Sequence, residues 1–340
     1  MSTARLRWAL IGASTIAGAR FVPALRAEGQ DVVSVYSSTI ERARRFASEQ
    51  AIEIASDHLE TAMTGVDAVY VSSRNDRHAE QVVRAAAMGK HVFCEKPLAL
   101  RIEDAVAMLE AAARADIVLA VNHHLRNSEA LHAIRAAVRE GALGEILSAR
   151  AQHALLLPEA SRGWRVEEPE AGGGVIFDLC VHTVDALRFV LDQEIVEVCA
   201  IADSRGPDNR RAEESVVTAQ RLSDGVVVST YESFVAPFAG TAMEVHGTKG
   251  SLVGRGVLSV NEPLGEVFLR DGQGSRQYSR GPTDELYRRG IRAFAEAIVG
   301  LGEPIATGID GLRSLAVALA IRDAAATGRR VEVNYPPGCD

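Results

Sequence analysis

The chain has 340 residues, 47% of them hydrophobic and 24% charged, enough to bury a substantial core and to divide into two domains. A net charge of -8 with no basic block excludes a nucleic-acid binder and a protein held by charge on an anionic membrane. No apolar run approaches the roughly eighteen residues of a membrane span, and Met1-Ser2-Thr3-Ala4-Arg5 leads into a strand pattern rather than a signal peptide, so the expected location is the cytoplasm.

In chain order, Leu6–Ile11, Val32–Tyr36, Ala68–Ser72, His91–Cys94 and Val118–Val121 read as strands. Between them Ile16–Ala27, Ile40–Glu49, Asp76–Ala87 and Ile102–Ala115 read as helices. Strands separated by helix-length stretches make parallel βαβ units, so residues 1–122 are expected to form a doubly wound Rossmann sheet. The texture then changes. Ile146–Leu155, Ile195–Asp203, Ser215–Leu222, Val226–Phe234, Thr241–His246 and Val267–Arg270 alternate apolar with polar residues. Turn-rich pieces such as Gly206-Pro207-Asp208-Asn209 and Ser223-Asp224-Gly225 join them. That spacing predicts a large, mostly antiparallel sheet, making 123–340 a second domain of α+β type. Helical patterns at Asp284–Gly300 and Gly311–Thr327 and a loose tail at Pro336-Pro337-Gly338 end the chain. Cys94, Cys180, Cys199 and Cys339 lie far apart with no C-x-x-C spacing, as suits reduced thiols better than disulfides or a zinc site.

The turn after the first strand is Gly12-Ala13-Ser14-Thr15-Ile16-Ala17. In a dinucleotide fingerprint the first glycine permits the tight turn, the second admits the pyrophosphate, and the third position must be small for helix–strand packing. Gly12 and Ala17 fit, while Ser14 replaces the middle glycine and can still present a backbone N–H at a helix N-terminus. At the end of the second strand an acidic residue would bind a ribose 2′-hydroxyl, but the chain has Ser37, Ser38 and, one turn on, Arg42. These favour a 2′-phosphate and hence NADP(H). The plainer alternative makes Arg42 one of a solvated trio with Arg44 and Arg45.

Glu95-Lys96-Pro97 follows the fourth strand, so Lys96 falls at the carboxyl edge of the sheet, where ligands of such folds bind. Reduction of a ketone by hydride develops negative charge on oxygen and needs a nearby cation and a proton donor. Lys96 can be the cation, and Glu95 can hold the lysine or a cofactor ribose. His182 follows Asp178 by four residues, so on a helix the two would share a face, Asp178 orienting the imidazole or meeting a substrate hydroxyl and His182 giving the proton. An isolated histidine inside a helix is otherwise packing. Gly172-Gly173-Gly174 suits a close backbone approach. Asn122, His123 and His124 lack acidic or thiol companions at ligand spacing, so no metal is expected. Gly247-Thr248-Lys249-Gly250-Ser251 lacks the P-loop order and reads as a structural turn.

Taken together, the Gly12 turn, Ser73-Arg74-Asn75-Asp76-Arg77-His78, Gly89 through Pro97, and Asp178-Leu179-Cys180-Val181-His182 resemble the glucose-fructose oxidoreductase/inositol dehydrogenase (Gfo/Idh/MocA) family. Asn122 through Asn127, Gly163-Trp164-Arg165 and Pro169 through Gly174 resemble those of its members that reduce an anhydrosugar ketone with NADPH. Arg74 departs from the proline that many members carry there. The resemblance implies Lys96, Asp178 and His182 as catalytic residues. It implies a cofactor site of Gly12, Ser14, Thr15, Ile16, Ser37, Ser38, Arg42, Ser72, Asn75, His78, Glu95 and Lys96. For a small carbohydrate substrate it implies His153, on the first strand of the second domain, and Trp164 and Arg165 in the following loop, with Asp178 and His182. It also implies a cis Lys96–Pro97 peptide, and a homo-oligomer contact through the second-domain sheet. Two alternatives stay open: an inositol or pyranose dehydrogenase, and a cofactor-binding regulator without turnover.

Overall fold

The computed structural model describes residues 4–203, 212–259, 264–282 and 285–337. The expected turn at Gly206-Pro207-Asp208-Asn209, the tail residue Gly338, the thiol of Cys339 and the helix start at Asp284 lie outside them. Two compact units emerge: Met1–His124 with Tyr287–Leu312, and Leu125–Leu286 with Arg313–Asp340.

In the first unit the strands are β1 (Arg7–Ile11), β2 (Asp31–Tyr36), β3 (Ile54–Ser56), β4 (Ala68–Val71), β5 (His91–Cys94) and β6 (Leu119–Val121). All pair in parallel, in the order β3-β2-β1-β4-β5-β6. This is the doubly wound sheet expected. Its crossovers include α1 (Val22–Ala27), α2 (Ile40–Gln50), α3 (Leu59–Ala62), α4 (His78–Ala87) and α5 (Ile102–Arg114). Thr39 starts α2 by accepting the Arg42 backbone N–H, 3.4 Å away, on its hydroxyl. The entry to α1 is not regular, because Ala17–Phe21 forms a π-helical turn. That turn delivers Phe21 onto Tyr70, ring centroids 3.5 Å apart and nearly parallel, with Phe93 at 5.4 Å from Phe21. The returning segment completes this core: Phe294 lies 5.3 Å from both Trp8 and Phe93.

In the second unit α6 (Glu129–Arg139) precedes β7 (Ile146–Leu156), α7 (Glu159–Glu167) and α8 (Val181–Leu191). There follow β8 (Ile195–Asp203), β9 (Ser215–Leu222), β10 (Val227–Ser233), β11 (Val235–Gly247), β12 (Ser251–Arg255), β13 (Leu264–Asp271) and β14 (Gly274–Pro282). After α9 (Leu286–Ile298) and α10 (Gly308–Thr327), β15 (Val331–Glu332) closes the second sheet. Nine strands run β14-β13-β12-β11-β7-β10-β9-β8-β15, antiparallel except for β7 with β10. Ala149, Ala151 and His153 of β7 alternate inward, in register with Val228, Thr230 and Glu232 of β10. On the other face Ile201, Val217 and Val227 are exposed. A buried charge network stiffens this unit: Arg126 donates twice to Asp185 at 2.8 Å, and Arg188 donates to Glu194 at 2.6 and 2.9 Å and to Ser314 at 3.1 Å.

No helix among the described residues is long and apolar enough to cross a membrane.

Candidate active site

Gly12 turns with φ +116°, where a Cβ would stand 2.7 Å from the Ser73 nitrogen and 2.9 Å from the Ser72 carbonyl carbon. Only glycine fits there. Ser14 replaces the second fingerprint glycine and is put to local use. Its hydroxyl donates to Ser72 Oγ at 2.8 Å and accepts the Ala17 N–H at 3.1 Å, capping the helix that begins there. Thr15 is exposed and Ile16 half-buried at that helix start. Beside the turn lies a cavity of about 400 Å³ lined by Ala13, Ser14, Thr15, Gly18, Arg42, Arg45, Phe46 and others of α2. Arg42 and Arg45, three apart, present one face of α2 to it, while Arg44 does not line it. Arg42, Arg44 and Arg45 are all exposed. Ser37 is buried with its N–H bonded to the Ser56 carbonyl, Ser38 is exposed, and neither lines the cavity.

A glycine cradle that any Cβ would fill, a capped helix start and two arginines on one cavity wall fit the phosphates of a dinucleotide.

At the end of β5 the Lys96–Pro97 peptide is cis and Lys96 is half-buried. Glu95 is fixed from three sides: it accepts Tyr70 Oη at 2.5 Å, Asn122 Nδ2 at 2.6 Å and the Lys96 N–H at 3.4 Å. Burial pushes its carboxyl up despite these bonds, and pushes the Tyr70 phenol far up. His78 is fully buried, with Nδ1 2.8 Å from the Pro97 carbonyl oxygen and Nε2 3.2 Å from that of Ser73. Burial lowers its pKa against the raising effect of the two carbonyls, and the ring, when neutral, has one N–H and donates to only one of them. Asn75, half-buried, opens a short 3₁₀ turn Asn75–Arg77 beside Ser73.

In the second unit two expectations are corrected. Trp164 and Arg165 lie on α7, not in a loop; Gly163, at φ 16° and ψ -123°, kinks that helix and breaks the sequence pattern that would have revealed it. Arg165 stacks on Trp164 at 4.7 Å, and its Nε lies 3.5 Å from Asp178 Oδ2. Asp178 itself belongs to a π-helical turn, Ile176–Cys180, that leads into α8, so the regular α spacing assumed for Asp178 and His182 does not apply. The glycine run explains the placement. A Cβ on Gly173 would stand 2.8 Å from the Trp164 carbonyl oxygen and 2.9 Å from that of Arg165, and one on Gly174 would collide with the Glu213 carboxylate. His153 and His182 are both buried, their ring centroids 6.1 Å apart.

Cys94 and Cys180 are buried thiols pushed well up by burial, and Cys199 is exposed. Gly247 through Ser251 form the tight turn between β11 and β12. Among the described residues no group of three or more His, Cys, Asp or Glu could hold a metal ion. Arg45 and Glu232 were not singled out from sequence. Arg45 shows only through helical spacing from Arg42, and Glu232 only through alternation with Val228 and Thr230.

Comparison with known proteins accords with this arrangement. The family described as an oxidoreductase family with NAD-binding Rossmann fold (GFO/IDH/MocA) matches residues 6–123, and the GFO/IDH/MocA C-terminal domain matches 131–253. The 1,5-anhydro-D-fructose reductase of Ensifer adhaerens is 46% identical over 329 residues, covering 96% of this chain and 98% of that one. The inositol 2-dehydrogenase of Rhizobium meliloti is 26% identical over 340 residues, covering 96% and 99%. Among solved structures, the aldose-aldose oxidoreductase of Caulobacter crescentus, complexed with glycerol, superposes with a TM-score of 0.87 at 25% identity, covering 97% of this chain and all of that one. Levoglucosan dehydrogenase with NADH and levoglucosan shares the fold at a TM-score of 0.86 and 24% identity, covering 98% and 100%.

Proposed function

The chain belongs to the Gfo/Idh/MocA oxidoreductase family, and on that premise we propose that it reduces a sugar-derived ketone with NADPH, converting 1,5-anhydro-D-fructose to 1,5-anhydro-D-mannitol. The observation that carries the substrate is the identity of 46%, across 96% of the chain, with a reductase of that name.

Bound against the Gly12 turn, NADPH supplies the hydride. Arg42 and Arg45 on the cavity wall hold the 2′-phosphate, which an acidic residue at the end of β2 would repel. Glu95, locked by Tyr70 and Asn122, fixes the backbone from which Lys96 projects. Lys96 polarises the carbonyl and stabilises the alkoxide as charge develops on its oxygen. His182 gives that oxygen a proton, so ketone, NADPH and a proton become alcohol and NADP⁺. Arg165 holds Asp178, which binds a substrate hydroxyl, and Trp164 and His153 supply an aromatic face and a further polar contact.

The test is NADPH consumption against 1,5-anhydro-D-fructose, osones and simple ketoses, with NAD⁺-dependent oxidation of inositols and glucose in parallel. Turnover of the anhydroketose is expected. Activity confined to the second set overturns the assignment of substrate and direction.

A further inference from the structure

Beneath α8 runs a file of buried polar side chains that the reduction chemistry above does not use. Gln220 Nε2 donates to Thr218 Oγ1 at 2.7 Å, the Thr218 and Thr230 hydroxyls share a bond of 2.8 Å, and Thr230 donates to Glu232 Oε2 at 2.9 Å. Glu232, with no exposed surface, ends the file. Thr183 and Cys180, the residues on either side of Val181-His182, border the carboxyl without bonding it: the Thr183 hydroxyl donates to the Leu179 carbonyl oxygen at 3.4 Å, and Glu232 Oε1 has no hydrogen-bond partner. Among the described residues the Thr230 hydroxyl is the one side-chain group bonded to it, and no cation pairs with it. Laterally, the parallel register of β7 with β10 sets Glu232 beside His153 on the same buried face. The His153 ring in turn lies 6.1 Å from that of His182.

We propose that Glu232 is a positioning residue for the proton donor: set beside His153 on the shared buried face, its carboxyl when ionised favours the imidazolium form of the His153–His182 pair. The role rests on the reading of His182 as donor. Burial pushes the Glu232 carboxyl up to about 7, so its charge changes across the range in which histidines titrate. Strand β9 offers Val216, Thr218 and Gln220, all uncharged, and just before it the buried Glu214 carboxylate on the same face is paired with Arg162. The preceding turn offers Cys180, whose thiol is pushed up, and Asp178, paired with Arg165. Glu213, itself pushed up by burial, accepts the Ile176 N–H at 3.1 Å. Arg322 lies over the Phe177 ring at 5.7 Å.

The experiment follows the His153 and His182 imidazole resonances through pH in the unliganded protein and in Glu232→Gln, together with the pH profile of ketone reduction. Loss of the carboxylate should lower at least the His182 midpoint by about one unit. At pH 8 the variant's kcat should fall roughly three- to tenfold while at pH 6 it stays within about twofold, with KM for the ketone unchanged. Thr230→Val removes a hydrogen bond that favours the ionised carboxyl, so it should move the midpoint the same way by less, and it tests the coupling even where Glu232→Gln fails to fold. Unchanged histidine midpoints in folded variants overturn the proposal, while His182→Ala can still abolish turnover and leave the reading of the donor intact. Shifted midpoints with a uniform loss of kcat at every pH leave Glu232 a structural residue and overturn its role. Shifted midpoints in a protein whose His182→Ala variant turns over normally overturn the donor reading instead, and the role with it.

Discussion

Glu232→Gln should change how stability depends on pH, quite apart from activity. The carboxyl titrates at about 7 in the folded protein against an ordinary value of 4.5, the value expected in the unfolded chain, because burial disfavours its charge. Below pH 4.5 both states are neutral and the side chain costs nothing. As pH rises through the gap the unfolded chain ionises first, so stability is lost progressively and levels off above the folded value. At about 1.4 kcal/mol per unit, the gap amounts to about 3.5 kcal/mol, of which about 2.5 kcal/mol falls between pH 5 and pH 8. Gln keeps an oxygen for the Thr230 hydroxyl and has no charge to bury, at a fixed cost of about 1 kcal/mol for its misplaced amide hydrogens. Groups common to both proteins cancel in the difference, and any fall in the His182 midpoint acts in the same direction. Urea unfolding at pH 5 and pH 8 should therefore show the variant gaining about 2.5 kcal/mol on the wild type between the two. Parallel stability curves over that window would refute the reasoning, since the buried carboxyl would then be ionised at no cost.

Three further outcomes follow from the site and the core. His182→Ala and Lys96→Met should each lower kcat by about 10²- to 10⁴-fold, His182→Ala with NADPH affinity unchanged by fluorescence titration, and survival within a few-fold would remove the residue from the chemistry. Arg42→Ala and Arg45→Ala should each weaken NADPH binding about tenfold or more, through loss of a charge-assisted hydrogen bond, and leave NADH within about twofold; equal losses for both coenzymes would place the 2′-phosphate elsewhere. Arg126→Met strips Asp185 of its bidentate partner in a buried network and should cost about 3–5 kcal/mol in urea unfolding. A loss below about 1 kcal/mol would show that Arg188, 3.7 Å from Asp185, and Ser314 suffice.

Much of the first sheet was legible because each long strand was bounded by a helix of opposite periodicity. β3 was not: three residues, with Ile54 39% exposed, are too few for a pattern. The second sheet was legible in kind but not in extent. β14, Gly274–Pro282, is polar and glycine-flanked, and the parallel pairing of β7 with β10 depends on a long-range neighbour that alternation cannot name. The same limit shaped the site. Lys96, Gly12 and His182 stand in motifs whose local chemistry is readable, whereas the clasp of His78 on Pro97 and the ion pair of Asp178 with Arg165 are tertiary facts. Glu232 had a signal that its charge masked. Its position in the Val228–Thr230 alternation pointed inward, yet an acid is ordinarily read as surface.

The return of residues Tyr287–Leu312 to the first unit has a consequence for biosynthesis. The dinucleotide-binding half is written first but finished late. Until Phe294 has left the ribosome, Trp8 and Phe93 lack the ring that lies 5.3 Å from both, and the β6 N–H of Val121 lacks the Ala306 carbonyl 3.1 Å away. Vectorial folding thus leaves the coenzyme half ajar while most of the second sheet is translated. A nascent chain stalled before Tyr287 would carry every fingerprint residue around Gly12 and still lack part of the hydrophobic wall behind them.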